Sequence, residues 1–409
     1  MKRNDLYMLA KLHNAMYLVP TGQAVVDRKK AIKINETGAF LWKCLEEDIT
    51  LDELHGKALA YYGFSHEETA DFYTDIDEFV GRLMSVGAVS NNADSCSPIG
   101  CSKDTVFNVS DSCISTTYTT INIAGIKIHL YAPAKLVPSE FSGFIIKDDD
   151  SMADLTVVLT FADSAIQTPV SVTATLETSD IKVYEYEQFL CLSYADFEYI
   201  KNISINRDYA SAEISIGKHE NTEKAIDVIR HEIFLSLRTP FLLSALKHSM
   251  VMLHSSSVLY NDGLLCFSAP AGTGKSTHAA LWKDAFGSEI INGDLNLLKV
   301  DRGSVTVPGT PWCGTSKIYS AKEYPLSAVS FLSRSDTNRV SPLNPEDSAL
   351  KLLARVITPL WNHEICTDVI NLVNAITKNI PCVSLACTKE HFAADVMKSY
   401  IDSLDSKNL

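Results

Sequence analysis

The chain is short of positive charge: 36 Lys and Arg stand against 50 Asp and Glu, giving a formal net charge of −14. That balance excludes nonspecific nucleic-acid or anionic-membrane binding, which depends on neutralising phosphate. Long apolar runs are missing too. The most apolar helical stretch, residues 240–253, is broken by Lys247 and His248, so no membrane span is expected. Lys2 and Arg3 make the N-terminus basic, but Lys11 interrupts the apolar stretch before a signal-peptide core could form. The ten cysteines contain no paired C-x-x-C arrangement. Cys96, Cys101 and Cys113 in a Ser-rich segment leave zinc or disulfides open, whereas free thiols in a reducing cytoplasm are the plainer reading. No internal repeat is visible. With 409 residues, 46% of them hydrophobic, two or three domains with sizeable cores are expected.

What is present is concentrated in Ser268-Ala269-Pro270-Ala271-Gly272-Thr273-Gly274-Lys275-Ser276-Thr277. An apolar run, 264–267, enters this stretch and a helical pattern, 277–286, leaves it, the context a phosphate-binding loop requires. Small residues let successive backbone N–H groups turn inward as an anion nest, and the helix N-terminus adds its positive dipole end. Ala271, Gly272, Thr273, Gly274, Lys275, Ser276 and Thr277 are therefore the expected nucleotide-binding residues. Lys275 reaches the terminal phosphates and the Ser276 hydroxyl holds Mg²⁺. Ala269 stands where such loops usually begin with Gly. A Gly-rich structural turn is the competing reading, and the flanks favour a nucleoside triphosphate.

Three regions follow from patterning. Residues 1–92 begin with short strands at 17–19, 24–27 and 31–34. Three helices follow: one at about 37–46, one starting at Thr50 with Glu53 three residues on, and one starting at Ser65 with Glu68 three residues on. The last two are capping-box signatures. Phe72, Ile76, Phe79, Val80 and Leu83 share one face of the third helix, and Gly87 lies just past its end. Residues 93–115 read as a linker. From 116 to 216, β-type runs at 120–123, 126–131, 155–160, 171–177, 182–186, 189–193 and 212–216 predict an antiparallel sheet. A helix at about 222–237 and a second apolar helical stretch to Lys247 complete a lobe of residues 116–250. Residues 251–409 form the nucleotide-binding core, opening on a strand at 252–259 and a turn at Asn261-Asp262-Gly263.

Asp294 is the next candidate. It ends the strand 288–292 in Gly293-Asp294, 294 − 275 = 19 positions after Lys275. Parallel strands joined by one helix would bring it beside the phosphates, where a carboxylate holds Mg²⁺ or accepts the proton of an attacking hydroxyl. A surface Asp in a turn is the alternative. Residues 309–317 follow a hairpin at Asp301-Arg302-Gly303 and return toward the site, where Lys317 would neutralise transferred-phosphoryl charge; a solvated Lys in a structural turn is equally compatible. Arg334 and Arg355 are further phosphate-contact candidates. His254, on the strand before the loop, taken alone reads as a core histidine.

His254-Ser255-Ser256, the loop 268–277, Asn292-Gly293-Asp294 and the segment 308–317 resemble, in this order, the HPr kinase/phosphorylase family, to which the nucleotide-binding lobe of ATP-dependent phosphoenolpyruvate carboxykinase is related. The resemblance covers about 116–409 and is strongest over 252–320. It implies a mixed, β-rich phosphate-loop kinase domain, ATP as donor, Asp294 as metal ligand or base, and His254 as the residue that tunes it. The family's usual Asp-Asp pair is absent, since Gly293 fills one place, and no copy of the phosphorylase signature is found. The first 90 residues, through their strands, capped helices and Ala31-Ile32-Lys33-Ile34-Asn35-Glu36-Thr37-Gly38, resemble the PqqD-like domain, winged-helix-like in form. That resemblance implies that Ala31, Ile32, Lys33, Ile34 and Asn35 are an edge to which a leader peptide adds as a strand beside the third helix. A winged-helix DNA binder is the rival, opposed by the acidic face Glu67, Glu68, Asp71, Asp75, Asp77 and Glu78.

Together the two halves predict a cytoplasmic α+β and α/β enzyme. It would transfer the γ-phosphoryl group of ATP, with Mg²⁺, to a Ser or Thr of a ribosomally made precursor peptide, tethered by its leader. Its catalytic residues would be Asp294, His254, Lys275 and Lys317, with Ser276 and Asp294 at the metal. A catalytically weak nucleotide-binding scaffold and a small-molecule kinase remain as rivals, and the oligomeric state, a homo-oligomer included, stays open.

Overall fold

In the computed structural model, which describes residues 1–63, 69–91, 113–147, 151–161 and 174–405, the N-terminal sheet runs Tyr7–Leu12, Ala15–Pro20, Ile32–Ile34 and is antiparallel throughout. The strand expected at 24–27 is instead a single helical turn, Gln23–Val26. Gly22 takes φ 52° and gives its N–H to Leu360 O at 2.8 Å, which turns the chain out of the sheet there. Three helices follow, Glu36–Cys44, Leu51–Tyr62 and Thr69–Ser85. The side chain of Asn35 caps the first by accepting from Gly38 N, and Thr50 and Glu53 make the expected reciprocal box on the second. The box expected at Ser65 and Glu68, most of the linker, Cys96 and Cys101 lie outside the described residues.

Period-two alternation along Ala15–Pro20 sends its side chains to two different cores. Leu18 joins Trp42, Leu54, Ile76 and Leu83 inside the N-terminal unit. Tyr17 and Val19, with Leu12, join the large core of the following region. The N-terminal unit is therefore packed on its neighbour through buried apolar side chains rather than joined to it only by a linker.

The middle sheet has eight strands in the order Tyr118–Ile123, Ile126–Tyr131, Leu155–Phe161, Ser211–Ile216, Ile200–Asn206, Phe189–Tyr194, Ile181–Glu185, Leu176–Glu177. It is mixed, not antiparallel as expected: Leu155–Phe161 runs parallel to both of its neighbours. The connection between 131 and 155 crosses over instead of closing a hairpin, which is what parallel pairing demands. Ile200–Asn206 was not foreseen, because a register shift between Ile200 and Asn202 breaks its alternation. One 25-residue helix, Glu223–Lys247, covers the sheet and runs through Pro240 where two stretches were expected. The proline removes one backbone bond, but Leu237, Phe241, Leu242 and Leu243 are buried on either side of it, and that packing holds the helix together.

The last sheet follows the order Gly263–Ser268, Met250–Tyr260, Leu295–Asp301, Ser304–Val307, Tyr324–Arg334, Cys382–Cys387, Arg339–Pro342, and Gly263–Ser268 also pairs with Tyr324–Arg334. Left-handed residues close its hairpins as expected: Asn261 and Asp262 at φ 48° and 63°, Arg302 and Gly303 at 46° and 90°. Gly263–Ser268 and Ile290–Asn292 are both antiparallel to Met250–Tyr260 and so parallel to each other. They are not direct neighbours, however; Met250–Tyr260 lies between them. Among the described residues no helix is long and apolar enough to cross a membrane, and every described cysteine is a free thiol.

Candidate active site

The loop read from sequence as phosphate-binding leaves the fully buried strand Gly263–Ser268 and enters the helix Lys275–Phe286. Gly272 and Gly274 adopt φ 73° and 120°, where L side chains are strained, so the loop needs glycine at both positions. Ala269 has no such φ; it is 2% exposed and packs with Phe267, Ala279 and Trp282, which accounts for a methyl group where the motif usually has hydrogen. Gly274 caps the helix without a side-chain acceptor, leaving its first N–H groups open to an anion. Arg334 donates to Gly272 O, so this arginine braces the loop itself.

Lys275 is 7% exposed. Burial lowers its pKa, Asp294 pulls it back up, and Arg355 pushes it down again. Ser276 and Thr277 are exposed on the first turn of the helix.

Asp294 is fixed from several sides. His254 Nε2 lies 3.0 Å from its Oδ1. Asn292 Oδ1 accepts from the N–H of both Asp294 and Leu295 at 3.0 Å, and Ser255 N donates to Asp294 O at 2.9 Å. The carboxyl is held below its usual pKa first by the His254 hydrogen bond, against burial, and further by the charges of His254, Lys275 and Arg238. Lys275 and Asp294 thus feel each other's charge at the mouth of the loop without forming a direct ion pair, since Asp294 pairs with His254. His254 reaches this point because Met250–Tyr260 is the strand between the two that carry the loop and the aspartate. Its own backbone is pinned there: His254 O accepts from Ser268 Oγ at 2.8 Å, and His254 N donates to Arg355 O at 3.0 Å.

The segment 313–318 closes over Gly293-Asp294. Gly293 N donates to Ile318 O at 3.2 Å, and Ser316 Oγ donates to Cys313 O at 2.7 Å. A Cβ on Gly293 would lie 2.2 Å from Ser316 Oγ, so the backbone has no room for a second carboxylate beside Asp294. A Cβ on Gly314, at φ 59°, would lie 2.6 Å from Asp294 Oδ2. Lys317 is exposed at the end of this segment with φ 56°.

Two contributors escaped the sequence. Arg238, on Glu223–Lys247, lies 56 positions (294 − 238) before the aspartate it influences, with no motif around it. Gly314 was read only as part of a returning segment; its contact with the Asp294 carboxylate is set by the fold. The residues fit a nucleotide triphosphate and its Mg²⁺, with an uncapped helix N-terminus, a buried lysine, the Ser276 hydroxyl and an ionised aspartate. Among the described residues no cluster of three or more His, Cys, Asp or Glu forms a metal cage of its own.

At the other end of the chain, Ile32–Ile34 is one of the two outer strands of its sheet, Tyr7–Leu12 being the other. Two adjoining hollows of about 550 and 540 Å³ run along it, and Asn35, Phe79 and Arg82 line both. Ile34 and Leu83 line the first, and Leu41, Phe72, Asp75 and Glu78 the second. Ile32 and Ile34 are 9% exposed and face the helices, while Lys33 faces the opposite way, its side chain 61% exposed. Gly38 permits the close approach here, since a Cβ would lie 3.2 Å from both Ile34 and Phe79.

No curated protein matches the chain. Among solved structures, the Hpr(Ser) kinase/phosphatase from Coxiella burnetii aligns over 38% of this chain and 98% of its own, at 8% identity and a TM-score of 0.24, a superposition too loose to carry an argument. Residues 22–89 match the family described as coenzyme PQQ synthesis protein D (PqqD), and that stretch of the chain is accordingly a PqqD domain.

Proposed function

We propose that this chain is an ATP-dependent kinase that phosphorylates a Ser or Thr hydroxyl of a ribosomally made precursor peptide, captured through its leader by the PqqD domain. The observation that carries the reading is the His254–Asp294 pair, 3.0 Å apart, among the strands beside the glycine-rich loop, with Lys275 close enough for its charge to lower the Asp294 pKa. In this reading the loop amides from Ala271 to Gly274 and the helix N-terminus hold the β- and γ-phosphates, and Lys275 balances charge on the terminal one. Ser276 and Asp294 would hold Mg²⁺, which neutralises charge that builds on the phosphate oxygens during transfer. Asp294 accepts a hydrogen bond from the substrate hydroxyl and aims its oxygen at the γ-phosphorus. A P–O bond forms to that oxygen, the bond to the β-phosphate oxygen breaks, ADP leaves, and the hydroxyl proton passes to the Asp294 carboxylate. The depressed pKa of Asp294 makes it a weak proton acceptor but a reliable negative charge, which suits a loose transition state that needs positioning more than deprotonation. Arg355 and Lys317 are the further cations available to the transferred group.

The leader would add to Ile32–Ile34 as a strand, its side chains entering the hollows beside Phe79 and Leu41. The test is incubation of the full chain with ATP, Mg²⁺ and the precursor encoded beside its gene, followed by intact-mass measurement. A gain of one phosphoryl group is expected, with Phe79→Ala raising the peptide concentration needed for half-maximal rate while ATP affinity stays unchanged. No transfer to any such precursor would sink the reading. The missing second carboxylate, whose place beside Gly293 is filled by Ser316, favours one rival, a nucleotide-dependent scaffold without catalysis. ATP binding and peptide binding that persist without turnover would be its signature.

A further inference from the structure

Tyr17 and Lys33 are directly opposed residues on the neighbouring strands Ala15–Pro20 and Ile32–Ile34. Directly opposed residues leave a sheet on the same face, and Lys33 Nζ lies 5.9 Å from the centre of the Tyr17 ring. The face is opposite the one on which Ile32 and Ile34 are buried. Both side chains end on a single carboxylate oxygen of the nucleotide-binding half: Tyr17 Oη donates to Glu346 Oε1, and Lys33 Nζ lies 2.6 Å from the same atom.

Glu346 sits in the first turn of the helix Pro345–Leu353, capped by Asn344, where the helix dipole favours a negative charge. The far end of that nine-residue helix leads into Arg355. The Arg355 carbonyl accepts from His254 N at 3.0 Å, Val356 bridges Leu253, and Ile357 N donates to Met252 O at 2.9 Å. One short rigid element therefore holds the outer strand of the PqqD domain at its beginning and the strand bearing His254 at its end.

We propose that Glu346 is a positioning residue: by binding Tyr17 and Lys33 together, it fixes the placement of the outer strand relative to Asp294, so that a precursor paired to that strand delivers its acceptor hydroxyl along a set path. This inference rests on the reading of the chain as a leader-guided kinase. The burial of Leu12, Tyr17 and Val19 keeps the two halves together without Glu346, so what the carboxylate contributes is orientation. A partly exposed ion pair adds little to stability, and the consequence falls on the tethered reaction, whose rate depends on the effective concentration at the site.

The test compares the full wild-type chain with Glu346→Ala and Tyr17→Phe, using ATP and the precursor encoded beside the gene, in full-length and leaderless synthetic forms. Glu346→Ala is expected to leave calorimetric binding of the full-length precursor and the rate on saturating leaderless peptide unchanged. On saturating full-length precursor its kcat should fall about tenfold, with KM unmoved. Tyr17→Phe should give a smaller loss of the same kind, and the double variant should lose no more than Glu346→Ala alone, since both residues act through one oxygen. Unchanged kcat on the full-length precursor in Glu346→Ala, or an equal fall on the leaderless peptide, would overturn the positioning role and leave the kinase reading standing. A wild-type chain that fails to bind the precursor overturns both, and the wild-type titration separates the two failures.

Discussion

His254 Nε2 lies 3.0 Å from Asp294 Oδ1, joining residues 40 positions apart in one pair. The pair keeps the aspartate ionised, with the His254 hydrogen bond as the largest cause. Asp294→Asn keeps the shape and removes the charge, and turnover is expected to fall on the order of a hundredfold or more. His254→Ala should raise the Asp294 pKa back toward the ordinary carboxylate range, because the largest cause of its depression is removed. Because a carboxylate with a depressed pKa stays charged until pH falls through that lowered value, losing His254 moves the acid limb of kcat to higher pH. A pH–rate profile of the two variants against wild type checks both statements.

Gly293 and Ser316 exclude a paired carboxylate. Gly293→Asp should therefore destabilise the protein by about 1–3 kcal/mol through overpacking and should not raise activity. Replacing Ser316 with Gly in the same chain removes the atoms that the new Cβ would meet and should recover most of the loss. Denaturant midpoints of the single and double variants decide the matter, and a Gly293→Asp chain as stable as wild type would show that the 313–318 segment yields freely.

Lys275 is buried, so an alanine there would open a gap as well as remove a charge. Lys275→Met keeps most of the volume. It is expected to preserve the thermal midpoint within a few degrees, roughly the shift of a 1 kcal/mol change, while abolishing phosphoryl transfer. Near-normal turnover on a folded Lys275→Met chain would mean that the loop does not handle the transferred phosphate.

His278, one turn along the same helix, accepts from Trp282 Nε1 at 3.2 Å, and its Nδ1 is buried without a partner. Burial pushes its pKa down to about 4 from 6.5. The unfolded chain then binds more protons than the folded one between those values, so stability is full above pH 6.5 and is lost as pH falls toward 4. The loss reaches about 3 kcal/mol at most. Urea midpoints between pH 7 and pH 4.5 should decline in wild type and decline less steeply in His278→Leu.

The strand, glycine-rich turn and helix at 263–286 were legible because they are contiguous: strand, small residues, Lys275 and helix follow one another, and each adopts backbone geometry that its neighbours dictate. The Thr50–Glu53 box and the left-handed turns at Asn261-Asp262 and Arg302-Gly303 were legible for the same reason. Where a local signal competed with long-range packing, packing decided. Residues 24–27 have strand composition, yet Gly22 turns them out of the sheet to meet Leu360. Pro240 signals a break, yet apolar burial on both sides carries the helix through it. The parallel pairing of Leu155–Phe161 depends on a crossover that no window of sequence encodes.

Local sequence was enough to mark a glycine-rich strand–loop–helix, an aspartate 19 residues beyond its lysine, and a small strand-and-helix unit before them. Tertiary structure alone decided the rest: that Arg238 influences Asp294, that Gly314 abuts its carboxylate, that Ser316 fills the place of a second acid, and that Tyr17 and Lys33 meet on Glu346. Each of these joins segments tens to hundreds of positions apart. Such contacts are set by which strands share a sheet and which faces are buried, and they carry no signature in the residues that make them.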